Sequence, residues 1–482
     1  MHFVAALDRV PEMRGVLCLF EGVCSGAADG YARALGRPAS TLLHLGPGLG
    51  NGLANFHNAR KARSPIVSIV GEHATAHLRV DAPLTSDIQT FARSVSNAVR
   101  TATSADDVGP AASATILSAW GPPGQVAMLI VSADFSWSET TVQGAAIQPP
   151  VRPVPEVSHL APLLRQPGTA ILLGGTAVNF RALEAAGRIA AATGARVITA
   201  RNVGKLSAGR TTFPAPQVPY FPEGALPFLA DVRNLLLVEA ERPVSFFAYP
   251  GIPSYMTPDN CVEHTLATRA EDGTAALLAL ADGLPPAKLP SVAAPEAPTA
   301  NEALTLDFIG LSVAALLPEH ALIADEMVSS AGKVLGHLAS AAPHEFMPVT
   351  GGSIGQGLPV AVGAAIACPD RKVVSLEADG SAMYTLQALW TMARENLDIT
   401  VIILANRRYR ILDIEMRRTG AKGFGPSSNN MIDISRPVLD FLKLAESMGV
   451  AASRATTARQ FTDQFRDAVA HRGPRLIEAV IA

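Results

Sequence analysis

The sequence predicts an α/β protein of three doubly wound parallel-sheet domains, and three observations lead there. At 482 residues the chain is long for a single core and suits about three domains. Its composition, 48% hydrophobic, 17% charged and only 5% aromatic, is that of α/β layers packed through small aliphatic residues. Two proline-rich stretches, 143–158 and 284–299, read as extended linkers, so the expected domains are 1–142, 159–283 and 300–482.

Charge and patterning narrow the function class. With 39 basic and 42 acidic residues the net charge is −3, and no basic stripe invites nucleic acid or an anionic membrane. Cys18, Cys24, Cys261 and Cys368 have neither zinc nor disulfide-framework spacing, so a reducing cytoplasm is expected. No uninterrupted apolar run reaches the roughly 18 residues of a membrane span, and the N-terminus lacks a signal-peptide pattern.

In the first domain, 16–20 reads as a short buried strand ending at Glu21, and 22–33 as a helix of small residues. A lone Glu opening a helix is ordinarily a surface residue favoured by the helix dipole. Residues 41–52 read as a strand, ending near His44, and a glycine-rich turn into a helix. Its glycines at 46, 48, 50 and 52 allow close backbone approach, but no Lys-Ser or Lys-Thr follows as in a phosphate loop. A core or solvent-facing role is the plain alternative for His44.

In the central domain, 169–175 ends a strand on a double glycine and a helix leads to the strand 195–200, a Rossmann-like unit. The Gly-x-Gly-x-x-Gly fingerprint is missing and no acidic residue ends the second strand, so a structural spacer is favoured over a dinucleotide site. The third domain opens with Thr350-Gly-Gly-Ser-Ile354 before another helix of small residues. It then offers Leu376-Glu-Ala-Asp379-Gly380-Ser381, a helix, the apolar strand 399–404, and Asn406-Arg-Arg408-Tyr409. One crossover thus returns a carboxylate and a carboxamide to the same sheet edge, where Mg²⁺ with its preference for oxygen donors would fit. The amides of Gly380 and Ser381 would face a diphosphate.

This spacing resembles the diphosphate-binding motif of thiamine-diphosphate-dependent enzymes, and the resemblance spans nearly the whole chain. It implies Asp379, Asn406 and the Arg408 carbonyl as Mg²⁺ ligands, with Gly380, Ser381 and Tyr409 at the cofactor. It implies that the Gly352 carbonyl accepts from the 4′-amino group and that Ile354 is the apolar wedge beneath the cofactor. The phrase Glu-Gly-x-x-x-Gly-Ala-Ala-Asp-Gly-Tyr-Ala-Arg is similar to the pyrimidine-binding domain, which makes Glu21 the general acid/base at N1′. His44, followed by the glycines and Asn51, resembles benzoylformate decarboxylase more than acetolactate synthase, and would donate to a substrate carboxylate or move a proton.

The activity that the resemblance implies is decarboxylation of a small-molecule 2-oxo acid, ending in an aldehyde or in carboligation. The protein would self-associate as a dimer or tetramer with shared active sites. FAD is possible but not favoured. Three departures stand out. Ala378 replaces the family's first glycine, which requires negative φ there. The stretch 245–251 has no His, so Tyr249 or neighbouring apolar groups would line that wall. The chain also enters the family pattern about one helix and one strand late, which would leave a hydrophobic sheet edge and keeps a catalytically weak or silent structural partner as the alternative.

Overall fold

The computed structural model describes residues 2–286, 292–421 and 423–481. Positions 287–291 of the second linker lie outside the described residues. Three sheets organise the described residues. The first joins β1 (Ala39–His44), β2 (Ile66–Glu72), β3 (Ala98–Thr101) and β4 (Val126–Ser132) in the order β1-β2-β4-β3, every pairing parallel. The second, built from β5 (Thr169–Leu173), β6 (Arg196–Thr199), β8 (Asn234–Val238) and β9 (Val262–Ala267), has the order β6-β5-β8-β9, again parallel.

The third sheet is the largest. It contains β10 (Leu322–Glu326), β11 (His344–Pro348), β12 (Val373–Ala378), β13 (Ile399–Ala405), β14 (Ala451–Ala455) and β15 (Arg475–Val480). Their order is β14-β15-β13-β12-β10-β11, and β7 (Leu206–Ala208), from the central part of the chain, adds an antiparallel edge beside β11. The chain leaves β10 toward β11 and returns to the other side at β12. That places a topological switch point between β10 and β12, where ligands of such sheets bind at the carboxyl ends of the strands.

Residues of β13 show why a continuous apolar run makes a strand here. Ile399, Val401 and Ile403 enter one buried cluster, Ile402 and Leu404 the opposite one. A strand covered on both faces needs no polar alternation. Truncating Ile402 to Ala would cost about 2–5 kcal/mol through the cavity left behind.

The small-residue helices Glu21–Leu35 and Gly357–Ala367 pack on each other. A Cβ at Gly30 would lie 2.1 Å from the Val360 carbonyl oxygen, and one at Gly363 1.8 Å from that of Ala27. The two backbones touch, so only glycine fits at either crossing. Arg33 ties the same pair of domains. It is paired with the buried Asp29 and donates to the Pro348 carbonyl at 2.8 Å and to Thr350 Oγ1 at 2.9 Å.

Two sequence expectations are corrected. Residues 16–20 form no strand: Leu17 and Leu19 are exposed, and the segment lies on the third domain. There Arg14 pairs with Glu395, Thr391 Oγ1 donates to the Leu17 carbonyl, and Cys18 and Phe20 pack on the core. An apolar run becomes a strand only where a neighbour supplies a ladder, and this one has side chains to lie on instead. The second correction concerns 45–52. No turn separates β1 from the next helix, because Leu45 adopts φ 58° and the helix Leu45–Ala62 begins at once, with all four glycines inside it. No helix among the described residues is long and apolar enough to cross a membrane.

Candidate active site

The carboxyl ends of β10, β12 and β13 and the loop following β11 converge on the switch point. Parallel pairing of β12 with β13 sets Ala378 opposite Leu404, so Asp379 and Asn406 leave the sheet side by side. Ala378 has φ −80°, which accommodates its methyl group. Asp379 is 3% exposed; its carboxylate accepts from the Gly380 amide at 2.9 Å and the Arg407 amide at 2.6 Å. Burial pushes its pKa up, and those two amides hold it down. Asn406 Oδ1 accepts from the Arg408 amide at 2.9 Å, closing a turn in which Arg407 takes φ 57°. The Arg408 carbonyl accepts from the Arg410 amide.

Gly380 is required by its neighbour: a Cβ there would stand 2.5 Å from the Tyr409 ring. Ser381 is buried beside it, in a helix of only four residues, Asp379–Ala382. Among the described residues Asp379 has no cationic partner, and no cluster of three His, Cys, Asp or Glu side chains is placed to hold a metal. The donor set is therefore one uncompensated buried carboxylate with neutral oxygens. That set fits a hard divalent cation completed by a ligand's phosphate oxygens, and does not fit zinc.

The second component is the loop 351–357. Gly352 and Gly355 have φ 77° and 91°, which glycine alone adopts without strain. Gly352 is exposed and Ile354 half-buried, with the Phe246 ring from the central domain against Gly352. Side chains of the helix Leu45–Ala62 hold the loop from the first domain. His57 meets the Gly351 carbonyl at 3.1 Å, and Asn58 bonds both the amide and the carbonyl of Ser353. Asn55 Nδ2 donates to the Gly355 carbonyl at 3.0 Å and to the Gly22 carbonyl at 2.8 Å, linking this loop to the start of the Glu21 helix. Beneath the loop, Glu326 takes the amides of Gly355, Gln356 and Gly357. Burial raises the pKa of both Glu326 and its neighbour Glu377.

Glu21 is half-buried at the first residue of its helix, and Asn51 Nδ2 donates to its Oε2 at 3.1 Å. A Cβ at Gly48 would stand 3.4 Å from Glu21 Oε1 and 3.7 Å from the His44 Cβ, so Glu21 and His44 flank one glycine. His44 is exposed at the end of β1.

Several contributors escaped the sequence reading, His57, Asn55 and Asn58 on the loop among them. Asn51 was visible only as part of a motif, because its reach to Glu21 depends on the helix that 45–62 forms. Of the groups in 245–251 expected to line that wall, the apolar Phe246 meets the Gly352 loop, while Tyr249 donates to Glu415 at 2.9 Å. Glu326 had a signal, an acidic residue ending an apolar strand, but its three partners lie about thirty positions away.

Comparison with known proteins agrees with this geometry. Family models of thiamine pyrophosphate enzymes match residues 1–93, as the N-terminal thiamine pyrophosphate-binding domain, and 329–479, as the C-terminal one. IlvX of Mycobacterium tuberculosis, a candidate acetolactate synthase large subunit, is 49% identical over 490 residues, covering 100% of this chain and 94% of its own. Benzoylformate decarboxylase of Pseudomonas aeruginosa is 28% identical over 98% of this chain and 92% of its own. The thiamine diphosphate-dependent 4-hydroxybenzoylformate decarboxylase of Rhodococcus jostii RHA1 superposes with a TM-score of 0.83 at 25% identity, covering 99% of this chain and 94% of that one. A buried oxygen-donor pair at the switch point, a glycine loop beside it and full-length relatives of one kind lead to one assignment: the chain belongs to the thiamine-pyrophosphate-dependent enzymes, of the acetolactate synthase and benzoylformate decarboxylase type.

Proposed function

We propose that the protein uses thiamine diphosphate with Mg²⁺ to decarboxylate a small-molecule 2-oxo acid, the product leaving as an aldehyde or joining a second carbonyl compound. The observation carrying this reading is the buried, uncompensated Asp379 beside Asn406 at the switch point. Bound there, the cofactor supplies a nucleophilic carbon and an electron-accepting ring. Asp379, Asn406 and the Arg408 carbonyl hold the metal, and Gly380, Ser381 and Tyr409 border the diphosphate. Gly352 would offer its carbonyl to the 4′-amino group, and Ile354 would be the apolar support beneath the cofactor. Glu21 holds the proton at N1′, and Asn51 fixes one of its oxygens. His44, across Gly48, meets the substrate carboxylate or moves a proton.

A flavin-free enzyme is the favoured form, and the central sheet supports that. At its own switch point, between β5 and β8, the cradle a nucleotide phosphate would use already contains Glu239. That side chain is 2% exposed, has φ 52°, and accepts from the Thr176 amide at 2.8 Å and the Gly273 amide at 3.1 Å, with Arg152 at 2.8 Å. We also propose a cytoplasmic dimer or tetramer with shared sites, without nucleic-acid or membrane partners. Exposed Leu17, Leu19 and Leu42 beside the Glu21 helix support association.

The test is turnover of a panel of 2-oxo acids by the Mg²⁺-loaded protein, with CO₂ and aldehyde both quantified. Release of CO₂ with less aldehyde than CO₂ indicates carboligation; equal amounts indicate simple decarboxylation. No CO₂ from any acid, in a protein that binds the cofactor, favours the silent structural partner. Mixing a Glu21 variant with an Asn406 variant tests the shared site, because hybrid dimers would recover activity that neither parent has.

A further inference from the structure

The cofactor-facing loop 351–357 is gripped from two sides, and the grip from below comes from a residue that no motif singles out. Glu326 ends β10 at the switch point and is 1% exposed. Its Oε1 accepts from the Gly355 amide at 2.6 Å; its Oε2 accepts from Gln356 at 2.9 Å and from Gly357 at 2.7 Å. The same three residues lead into the helix Gly357–Ala367, whose positive end adds to the attraction.

A carboxylate so deeply buried costs several kcal/mol unless something compensates it. Among the described ion pairs none includes Glu326. Its neighbour Glu377 is another buried acid, which accepts from Ser375 Oγ at 2.7 Å and supplies no cation; burial and the Glu326 charge raise its pKa. The loop amides are what hold Glu326 in place, and Glu326 in turn fixes the loop. From above, Asn55 and Asn58 of the first domain hold Gly355 and Ser353. Between the two grips stand the exposed Gly352 and the half-buried Ile354.

We propose that Glu326 is a positioning residue: by holding three successive amides it sets where Gly352 and Ile354 stand relative to the first domain and therefore how the cofactor's two rings are brought together. The inference rests on the proposed use of thiamine diphosphate. Glu326 touches no reacting atom, so its loss would change geometry more than affinity.

Glu326→Gln keeps the shape but offers one accepting atom and presents an NH₂ group to amides that are themselves donors. At least one charge-assisted bond is lost, corresponding to about a tenfold change in the opening of the loop. Hydrogen–deuterium exchange on the cofactor-free protein, read by mass spectrometry over 351–358, should be at least about tenfold faster than in the wild type. The rest of the third sheet should keep its protection. With thiamine diphosphate and Mg²⁺ added, calorimetry should show an affinity within about fivefold of wild type, while C2–H/D exchange on the bound cofactor slows at least about tenfold.

Glu326→Asp, which keeps the charge but falls one methylene short, serves as the second variant should the first not fold, and the same two changes are expected. Unchanged loop exchange, or unchanged C2 exchange in a variant whose loop has loosened, overturns the inference. A wild-type protein that takes up no cofactor with Mg²⁺ would instead sink the cofactor reading, and the loop comparison in the cofactor-free protein separates the two failures.

Discussion

The proposed diphosphate end of the site and its proposed pyrimidine end are built on different principles. At the diphosphate end, Asp379 and Asn406 leave neighbouring strands of a seven-stranded sheet, and the register of β12 with β13 fixes their separation. At the proposed pyrimidine end, Glu21 follows a segment in no sheet, which side chains of the third domain help to hold. A ladder of backbone bonds positions a side chain whatever its neighbours do. A segment laid on a surface depends on what covers it, and this one leaves Leu17 and Leu19 facing outward. The first end is therefore preformed, and the second is the part that the proposed association between copies would complete.

The largest effect expected from breaking this contrast is at Asp379. Asp379→Ala removes the anionic ligand and should abolish Mg²⁺-dependent cofactor binding in calorimetry, while far-UV circular dichroism stays that of the wild type. Wild-type affinity in this variant would show that the third-domain assignment is wrong. Glu21→Gln tests the other end. Cofactor binding should remain largely intact, and C2–H/D exchange, followed by NMR after acid quench, should slow by about 10²–10⁴-fold. An unchanged rate would reduce Glu21 to a helix-start residue.

The preformed end also carries a cost that pH exposes. Burial raises Asp325, at the end of β10, to about 6, with the Met327 amide and nearby Arg201 opposing the shift. Below about pH 4 the group is protonated in both folded and unfolded chains and costs nothing. Between about 4 and 6 only the unfolded chain ionises, so folded stability falls; above about 6 the loss is constant, at most about 3 kcal/mol. Asp325→Asn keeps the acceptor for Met327 and should raise the thermal midpoint at pH 7.5 but not at pH 4. Equal midpoints at both values would mean the carboxyl is not desolvated in solution.

Two glycines sharpen the contrast with smaller effects. Gly380→Ala places a methyl against the Tyr409 ring and should weaken cofactor binding by about tenfold, the consequence of about 1.4 kcal/mol. Gly50→Ala, inside the helix Leu45–Ala62 and open to space, should raise stability by about 0.5–1 kcal/mol in urea unfolding and leave cofactor affinity unchanged. Loss of affinity at position 50 would restore the reading of that glycine as one that lets a ligand approach.

Legibility followed the range of the interactions. Asp379 and Asn406 were readable because one β-helix-β crossover encloses both, and apolar continuity marks a strand buried on both faces. Tyr409 was readable only through resemblance, since nothing local says that its ring lies on Gly380. The strand expected at 16–20 failed because hydrophobic pattern names a burial partner but not a ladder partner. The glycine-rich 45–52 misled for a related reason: glycine permits a turn without requiring one, and the residue in the left-handed region is Leu45.

By itself the sequence determined the class of fold and the pairing of Asp379 with Asn406 at one sheet edge, because those depend on periodicity and on residues within one crossover. Tertiary structure alone decided that Gly30 and Gly363 let two helices touch, that Asn51 reaches Glu21, that Phe246 stands at Gly352, and that Glu326 and Asn55 grip one loop from opposite sides. Each of these joins residues far apart along the chain, and such contacts exist only once separate layers have packed. Local pattern carries no information about which side chains that packing brings within hydrogen-bond reach.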